Sequence, residues 1–203
     1  MAQDQKQKAI IEAAIKRFAH FGVGKTTMNE IAKDLSISKA LLYYYFPDKV
    51  SLYGAVLEYI TGSDAEVIDT TIESHADPFE AIEAFLELRT EFIIKYHHIL
   101  EFLKQYTPAT IPENLQKIFT EIRKKDLNRI IRILEKSSKS FSGIENIRKA
   151  AELYFEFLEA YRFNFIANQP NIFPGKKEFQ SLLKKEKEFS LVFFKGLTVA
   201  NKG

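Results

Sequence analysis

Apolar residues recur at three- and four-residue steps along most of this chain, and proline or glycine marks the breaks between runs. Ile11, Ala14, Ile15, Phe18 and Phe21 form one stripe, which predicts a helix from about Gln5 to Phe21. Gly22 and Gly24 stop it. Met28, Ile31, Ala32 and Leu35 give the buried face of a second, short helix. Thr27 is its N-cap, with Glu30 three residues on, as a capping box requires. Ser36-Ile37 turns the chain. Ser38 caps a third short helix that runs through Tyr45. Phe46-Pro47-Asp48 breaks again, and Asp48 caps a long fourth helix to about Ser74. Further helices are predicted over 78–106, with a split near Tyr96-His97-His98, and over 112–138, 143–168 and 177–199. The loops between them are 74–77, 107–111, 137–142 and 168–176. All six prolines (Pro47, Pro78, Pro108, Pro112, Pro170 and Pro174) fall at such breaks. Val and Thr are sparse and Asn-Gly is absent, so hairpin signals are missing. The expected fold class is all-α.

Composition narrows the function classes. The 203 residues hold 29 basic and 27 acidic side chains, a net charge of +2, so the chain as a whole is no polycation for nucleic acid. With 46% apolar residues, a sizeable core can be built. Cysteine is absent, which excludes disulfides, thiolate metal sites and cysteine nucleophiles. No apolar run is long enough to span a bilayer, and Met1 to Lys8 lacks the apolar stretch of a signal peptide. A soluble, cytoplasmic protein is expected. The charge is uneven: residues 1–50 carry eight basic and five acidic side chains, so the basic excess lies in the first quarter.

Two short helices joined by a tight turn and braced by an earlier helix make a helix-turn-helix of about 45 residues. Leu42 and Phe46 can pack with Ile37 against the first two helices. Lys39, Ala40, Tyr43 and Tyr44 then face outward. A cation, a small residue and two aromatics suit a DNA major groove: Ala40 permits close approach, while Lys39 and the tyrosines reach phosphates, base edges and thymine methyls. Lys49 and the start of the fourth helix offer a cation and free N–H groups to a phosphate, and Thr27 can do the same at the second helix. Consecutive helical residues point about 100° apart, so Tyr43, Tyr44 and Tyr45 cannot all be core.

The stretch Phe21-Gly22, then Lys25-Thr26-Thr27-Met28-Asn29-Glu30-Ile31-Ala32-Lys33-Asp34-Leu35-Ser36-Ile37-Ser38-Lys39-Ala40-Leu41-Leu42-Tyr43-Tyr44-Tyr45-Phe46-Pro47-Asp48-Lys49-Val50-Ser51-Leu52 resembles the DNA-binding signature of the TetR/AcrR family of bacterial transcriptional regulators. That family usually places Gly in the turn, where Ser36 stands here, and often Gly at the position of Ala40. The resemblance implies that Thr27, Ser38, Lys39, Tyr43, Tyr44, Tyr45 and Lys49 touch DNA, and that Ala40 and Tyr43 lie against base edges. It also implies a domain of residues 1–48 that binds DNA and a domain of residues 49–203 that binds ligand and dimerises. The last two helices, 143–168 and 177–199, would pair with their copies, and the middle helices would enclose an inducer. The fourth helix would couple the two ends.

One decoy lies in Gly22-Val23-Gly24-Lys25-Thr26, which imitates the end of a phosphate-binding loop. The first glycine of that motif would have to stand at residue 19, which is Ala19, and a helix rather than a strand precedes it. Lys25 is read as a loop cation beside the DNA backbone.

Residues 51–203 carry no catalytic pattern. His97 and His98 are adjacent and point to different faces, so a metal pair is not expected there. No cofactor is implied, and no enzyme. Rings are the informative feature: Phe85, Phe92, Tyr96, Phe102 and Tyr106, then six in the twelve residues from Tyr154 to Phe165. A helix that is apolar on more than one face is buried on more than one side, against a core, a twin subunit or a ligand. Candidate ligand residues are Phe85, Phe92, Tyr96, Phe102, Tyr106, Phe119, Tyr154, Phe157 and Tyr161. The resemblance implies a homodimeric repressor that binds a palindromic double-stranded DNA operator and is released by a small apolar or aromatic inducer. The rival is a helical sensor or carrier whose head binds another protein.

Overall fold

Short polar side chains that accept from backbone N–H groups start five of the ten α-helices among the described residues. In the computed structural model, residues 2–107, 109–136, 146–168 and 174–199 are described, and no strand occurs among them. The helices are α1 (Ala2–Phe21), α2 (Met28–Asp34), α3 (Lys39–Tyr45), α4 (Lys49–Ser63), α5 (Ala65–Ser74), α6 (Pro78–Lys95), α7 (His97–Leu100), α8 (Glu113–Lys136), α9 (Ile147–Ala167) and α10 (Lys176–Val199), with a 3₁₀ turn at Glu101–Gln105. Asp48 caps α4 by accepting from the Ser51 N–H at 2.6 Å. Asp77 accepts from Phe79 and Glu80 at 2.7 and 3.1 Å, ahead of a proline at the first position of α6. Asn146 caps α9 through the Lys149 N–H. Pro108, Pro170 and the expected loop 137–142 lie outside the described residues.

The contacts divide the chain into two units, Met1–Asp64 with Tyr96–Glu121, and Ala65–Lys95 with Ile122–Gly203. In the first, Ile10, Ala14 and Phe18 present one wholly buried face of α1 to α4, where Leu52, Tyr53 and Val56 are equally buried. The Tyr53 hydroxyl donates to the Ile99 carbonyl at 3.0 Å, and burial pushes its pKa up. The residue after it, Gly54, lets the start of α8 approach: a Cβ there would stand 3.1 Å from Ile118 Cδ1.

Two expectations need correction. The fourth helix does not run to Ser74; it ends at Ser63, and Asp64 (φ −90°, ψ −7°) separates α4 from α5. The hydroxyls of Thr61 and Ser63 donate to the carbonyls of Leu57 and Ile60 in the last turn, where they compete with the helix ladder. No unbroken helix therefore spans 48–74. Phe21, expected in the buried stripe of α1, is 52% exposed: α1 ends there, and in the described contacts its ring meets the Arg17 guanidinium and the His20 ring. Ile10 supplies the buried position instead.

In the second unit α6 packs on α5 and α10. Its core includes Ile82, Phe85, Leu134, Tyr154, Phe155 and Phe194. The Tyr154 hydroxyl meets Ser190 Oγ at 2.6 Å inside this core. Ion pairs join its helices: Arg129 of α8 binds Asp69 of α5 at 3.1 Å, and its neighbour Arg132 binds Asp69 and Glu73. Lys136 closes the end of α5 by donating to the carbonyls of Glu73 and His75 at 2.8 and 3.0 Å.

Candidate nucleic-acid interface

The candidate helix-turn-helix is α2, its turn and α3, and each junction is locked by local chemistry. Thr27 Oγ accepts from the Glu30 N–H at 3.3 Å, while the Glu30 carboxylate accepts from the Thr27 N–H and hydroxyl at 2.8 Å each. The backbone bond from Thr27 is the main reason the Glu30 carboxyl titrates below its ordinary range. At the far end of α2, the Ser36 N–H donates to the Lys33 carbonyl and the Ile37 N–H to the Ala32 carbonyl, both at 3.0 Å. This is a Schellman closure, and it holds Ser36 at φ 52°, in the left-handed region. Ser38 Oγ then accepts from the Leu41 N–H at 3.1 Å and starts α3.

Arg17 ties the brace helix to this head. Its Nη2 donates to Asp34 Oδ1 at 3.0 Å and its Nη1 lies 3.5 Å from Glu30. Hydrogen bonding from Arg17 holds the Asp34 carboxyl below its ordinary range.

The face of α3 divides as the sequence pattern implied. Leu42 and Phe46 are buried, and Ile37 is half-buried. Lys39, Ala40, Tyr43 and Tyr44 are exposed, with Tyr44 at 73%, and Tyr45 is half-buried. The Lys39 ammonium sits 5.6 Å from the centre of the Tyr43 ring, so a cation and a phenol share one outward surface. Thr27, Ser38 and Lys25 are exposed as well.

Lys49 has a different occupation from the phosphate contact expected of it. Its ammonium donates to the carbonyls of Val23, Gly24 and Thr26 at 3.0, 3.3 and 3.1 Å. An ammonium has three N–H donors, so this conformation leaves none for a phosphate. Those carbonyls belong to the loop after Gly22, which ends α1 at φ +79°. Lys49 thus holds the loop that presents Thr27. Sequence alone could not show this, since the contact spans more than twenty residues.

The nine candidate ligand residues fall in both units. Tyr96, Phe102, Tyr106 and Phe119 belong to the first unit, and the Phe102 ring packs 4.9 Å from Tyr53. Phe85, Phe92, Tyr154, Phe157 and Tyr161 belong to the second. There, Phe85 and Tyr154 are core, whereas Phe157 is 56% exposed and lines, with Tyr161, Phe189 and Val192, a cleft of about 470 Å³ between α9 and α10. Among the described residues, no group of three His, Asp or Glu could hold a metal ion, and no helix is long and apolar enough to cross a membrane.

Comparison with known proteins places this head. Residues 10–56 match the sequence model of bacterial regulatory proteins, tetR family. The HTH-type transcriptional regulator RutR of Escherichia coli K12 is 38% identical over 90 residues, 44% of this chain and 42% of that protein. The probable acrEF/envCD operon repressor of the same organism is 29% identical over 90 residues, 44% of this chain and 41% of that protein. The match thus spans less than half the length of these curated relatives. The crystal structure of a transcriptional regulator from Cytophaga hutchinsonii superposes with a TM-score of 0.81 at 28% identity, covering 94% of this chain and 97% of that one. The fold is therefore all-α with an N-terminal helix-turn-helix, of the architecture seen in bacterial transcriptional regulators.

Proposed function

We propose that the chain is a cytoplasmic transcriptional regulator of the tetR family, whose sequence model residues 10–56 match, acting as a repressor that binds a palindromic operator as a homodimer and is released by a small-molecule inducer. One observation carries the reading: Lys39, Ala40, Tyr43 and Tyr44 stand exposed on α3 while Leu42 and Phe46 anchor the same helix in the core. Ala40 leaves room for a groove wall, Tyr43 reaches base edges, and Lys39, Tyr44, Tyr45, Ser38 and Thr27 reach the phosphate backbone. Lys49 supports the interface through the Gly22–Thr26 loop. Residues 1–48 form the DNA-binding domain and residues 49–203 the ligand-binding and dimerisation domain.

The exposed apolar side chains of α9 and α10 support the dimer. Leu153, Phe157, Tyr161, Leu191 and Val192 are all exposed at 36% or more, an apolar stretch that a lone chain in water rarely leaves open. A twofold pairing of these helices covers it with its own copy. Two copies of α3 then read two half-sites about one helical turn, ~34–36 Å, apart or a multiple of it. An inducer need only change that separation.

A gel-shift titration against genomic upstream fragments tests the reading. Discrete shifts at a subset of fragments are expected, weakening steeply with salt. No shift with any fragment at low salt contradicts it.

A further inference from the structure

We propose that Phe102, far outside residues 1–48, is a positioning residue of the DNA interface: its ring holds the Lys49 ammonium against the loop after α1 and so fixes where Thr27 and the start of α2 stand. This rests on the operator reading and adds a residue to it. The contacts lie within one unit, residues 1–64 with 96–121. The centre of the Phe102 ring is 5.8 Å from the Lys49 ammonium, inside the roughly 6 Å reach of a cation–π attraction. The same ring packs 4.9 Å from the Tyr53 ring. Lys49 and Tyr53 are one turn apart on α4, so a single ring meets both side chains.

Phe102 is itself held in place. Tyr53 is wholly buried, and its hydroxyl donates to the carbonyl of Ile99, three residues before Phe102. The Tyr106 ring meets Phe102 edge-on at 5.9 Å. The Tyr106 N–H donates to the Leu103 carbonyl at 3.0 Å, which closes the 3₁₀ turn that carries Phe102. Just before that turn, α7 packs on α1.

The loop passes the contact on to Thr27. Gly22–Thr26 imitates a phosphate-binding loop in sequence, yet it turns the carbonyls of Val23, Gly24 and Thr26 toward a cation, where a phosphate would need N–H groups. Thr26 is buried and its hydroxyl donates to the Gly22 carbonyl at 2.9 Å, so the loop is closed on itself. The next residue, Thr27, is the N-cap of α2. The described partners of the ammonium are three neutral carbonyls and one ring. Hydrogen bonds of this kind strengthen as water is kept from them. A half-buried ring beside the half-buried lysine keeps water off and offers its π face to the charge.

Hydrogen exchange and gel shift on the full chain test this together. Phe102→Leu removes the ring and keeps apolar bulk, a fluorinated phenylalanine at position 102 keeps the shape and weakens the π face, and Phe102→Tyr keeps both. In the first two, the amides of Gly22, Thr26 and Thr27 are expected to exchange about threefold or more faster, with those of Ile10, Ala14 and Phe18 unchanged. Both should bind the fragment that the unaltered chain shifts about threefold or more weaker, and Phe102→Tyr should match the unaltered chain. In a Lys49→Met background, Phe102→Leu should add nothing at the loop. Should Phe102→Leu loosen the whole chain, the fluorinated ring decides. Unchanged loop exchange, an equal rise at the α1 amides with the fluorinated ring, or a full effect without Lys49 overturns the proposal. Faster loop exchange with unaltered DNA affinity overturns the link to DNA. No shift by the unaltered chain brings down the operator reading and the DNA role of Phe102 with it, while loop exchange still decides whether the ring holds the loop.

Discussion

The Lys49 ammonium lies 3.0 Å from the carbonyl oxygen of Val23, joining the first residue of α4 to the loop that follows α1. Two further carbonyls, Gly24 and Thr26, share the same cation. Loss of Lys49 therefore acts on the architecture of the head before it acts on DNA. Lys49→Met is expected to destabilise the fold by about 1–3 kcal/mol in urea unfolding, as for hydrogen bonds to a charged group. An unchanged unfolding midpoint with a weakened salt dependence of DNA binding would return Lys49 to a phosphate.

Lys39 gives the contrasting case. It is exposed and its ammonium meets only the Tyr43 ring in the described contacts. Lys39→Ala should leave the unfolding midpoint within about 0.5 kcal/mol, weaken binding to all DNA sequences alike and lower the salt slope by about 1. Tyr43→Ala should instead change which sequences are preferred. Competition binding with operator and random DNA separates the two outcomes.

Ser36 sits at φ 52° in the turn between α2 and α3. A left-handed conformation costs a non-glycine residue about 1–2 kcal/mol, and glycine costs about 0.5–1 kcal/mol through its freer unfolded chain. Ser36→Gly is thus expected to stabilise the protein by about 0.5–1 kcal/mol, and Ser36→Val to destabilise it. Thermal unfolding of the three proteins checks the order.

The Arg17 bridge predicts an acid limb. Hydrogen bonding holds Asp34 and Glu30 below their ordinary carboxyl range, so their contribution is present above the unfolded pKa and is lost as pH falls through the lower folded values. Stability should decline on acidification below the ordinary carboxylate range, and Asp34→Asn should flatten that decline while lowering stability at neutral pH. Urea unfolding at a series of pH values measures both.

The parts of this molecule legible in the sequence are those set within one helical turn. Thr27 with Glu30, Ser38 and Asp48 are caps whose partners lie three residues away, and each is found where the pattern put it. The outward face of α3 was readable because Leu42 and Phe46 fix which way the helix is turned. The break at Asp64 was not, since no proline stands there and hydroxyls like those of Thr61 and Ser63 also bond back to carbonyls within the unbroken α8 and α10. Nothing in the sequence marks Arg129 and Arg162 for burial, which depends on partners from other helices, Asp69 of α5 and Glu186 of α10. The Lys49 bridge was hidden for the same reason.

The proposed pairing through α9 and α10 is open to a charge test on their exposed apolar side chains. Phe157→Glu with Val192→Glu should yield monomers by sedimentation and abolish the complex with two half-sites, while leaving the fold intact, because both residues are more than half exposed. A dimer that survives both substitutions would place the interface elsewhere.

Selection from a random duplex library with the purified chain addresses the operator claim most directly. A palindrome is expected, with half-sites about one helical turn apart or a multiple of it, bound by two chains and lost on Tyr43→Ala. Recovery of no enriched sequence at low salt, or of a single half-site bound by one chain, would contradict it.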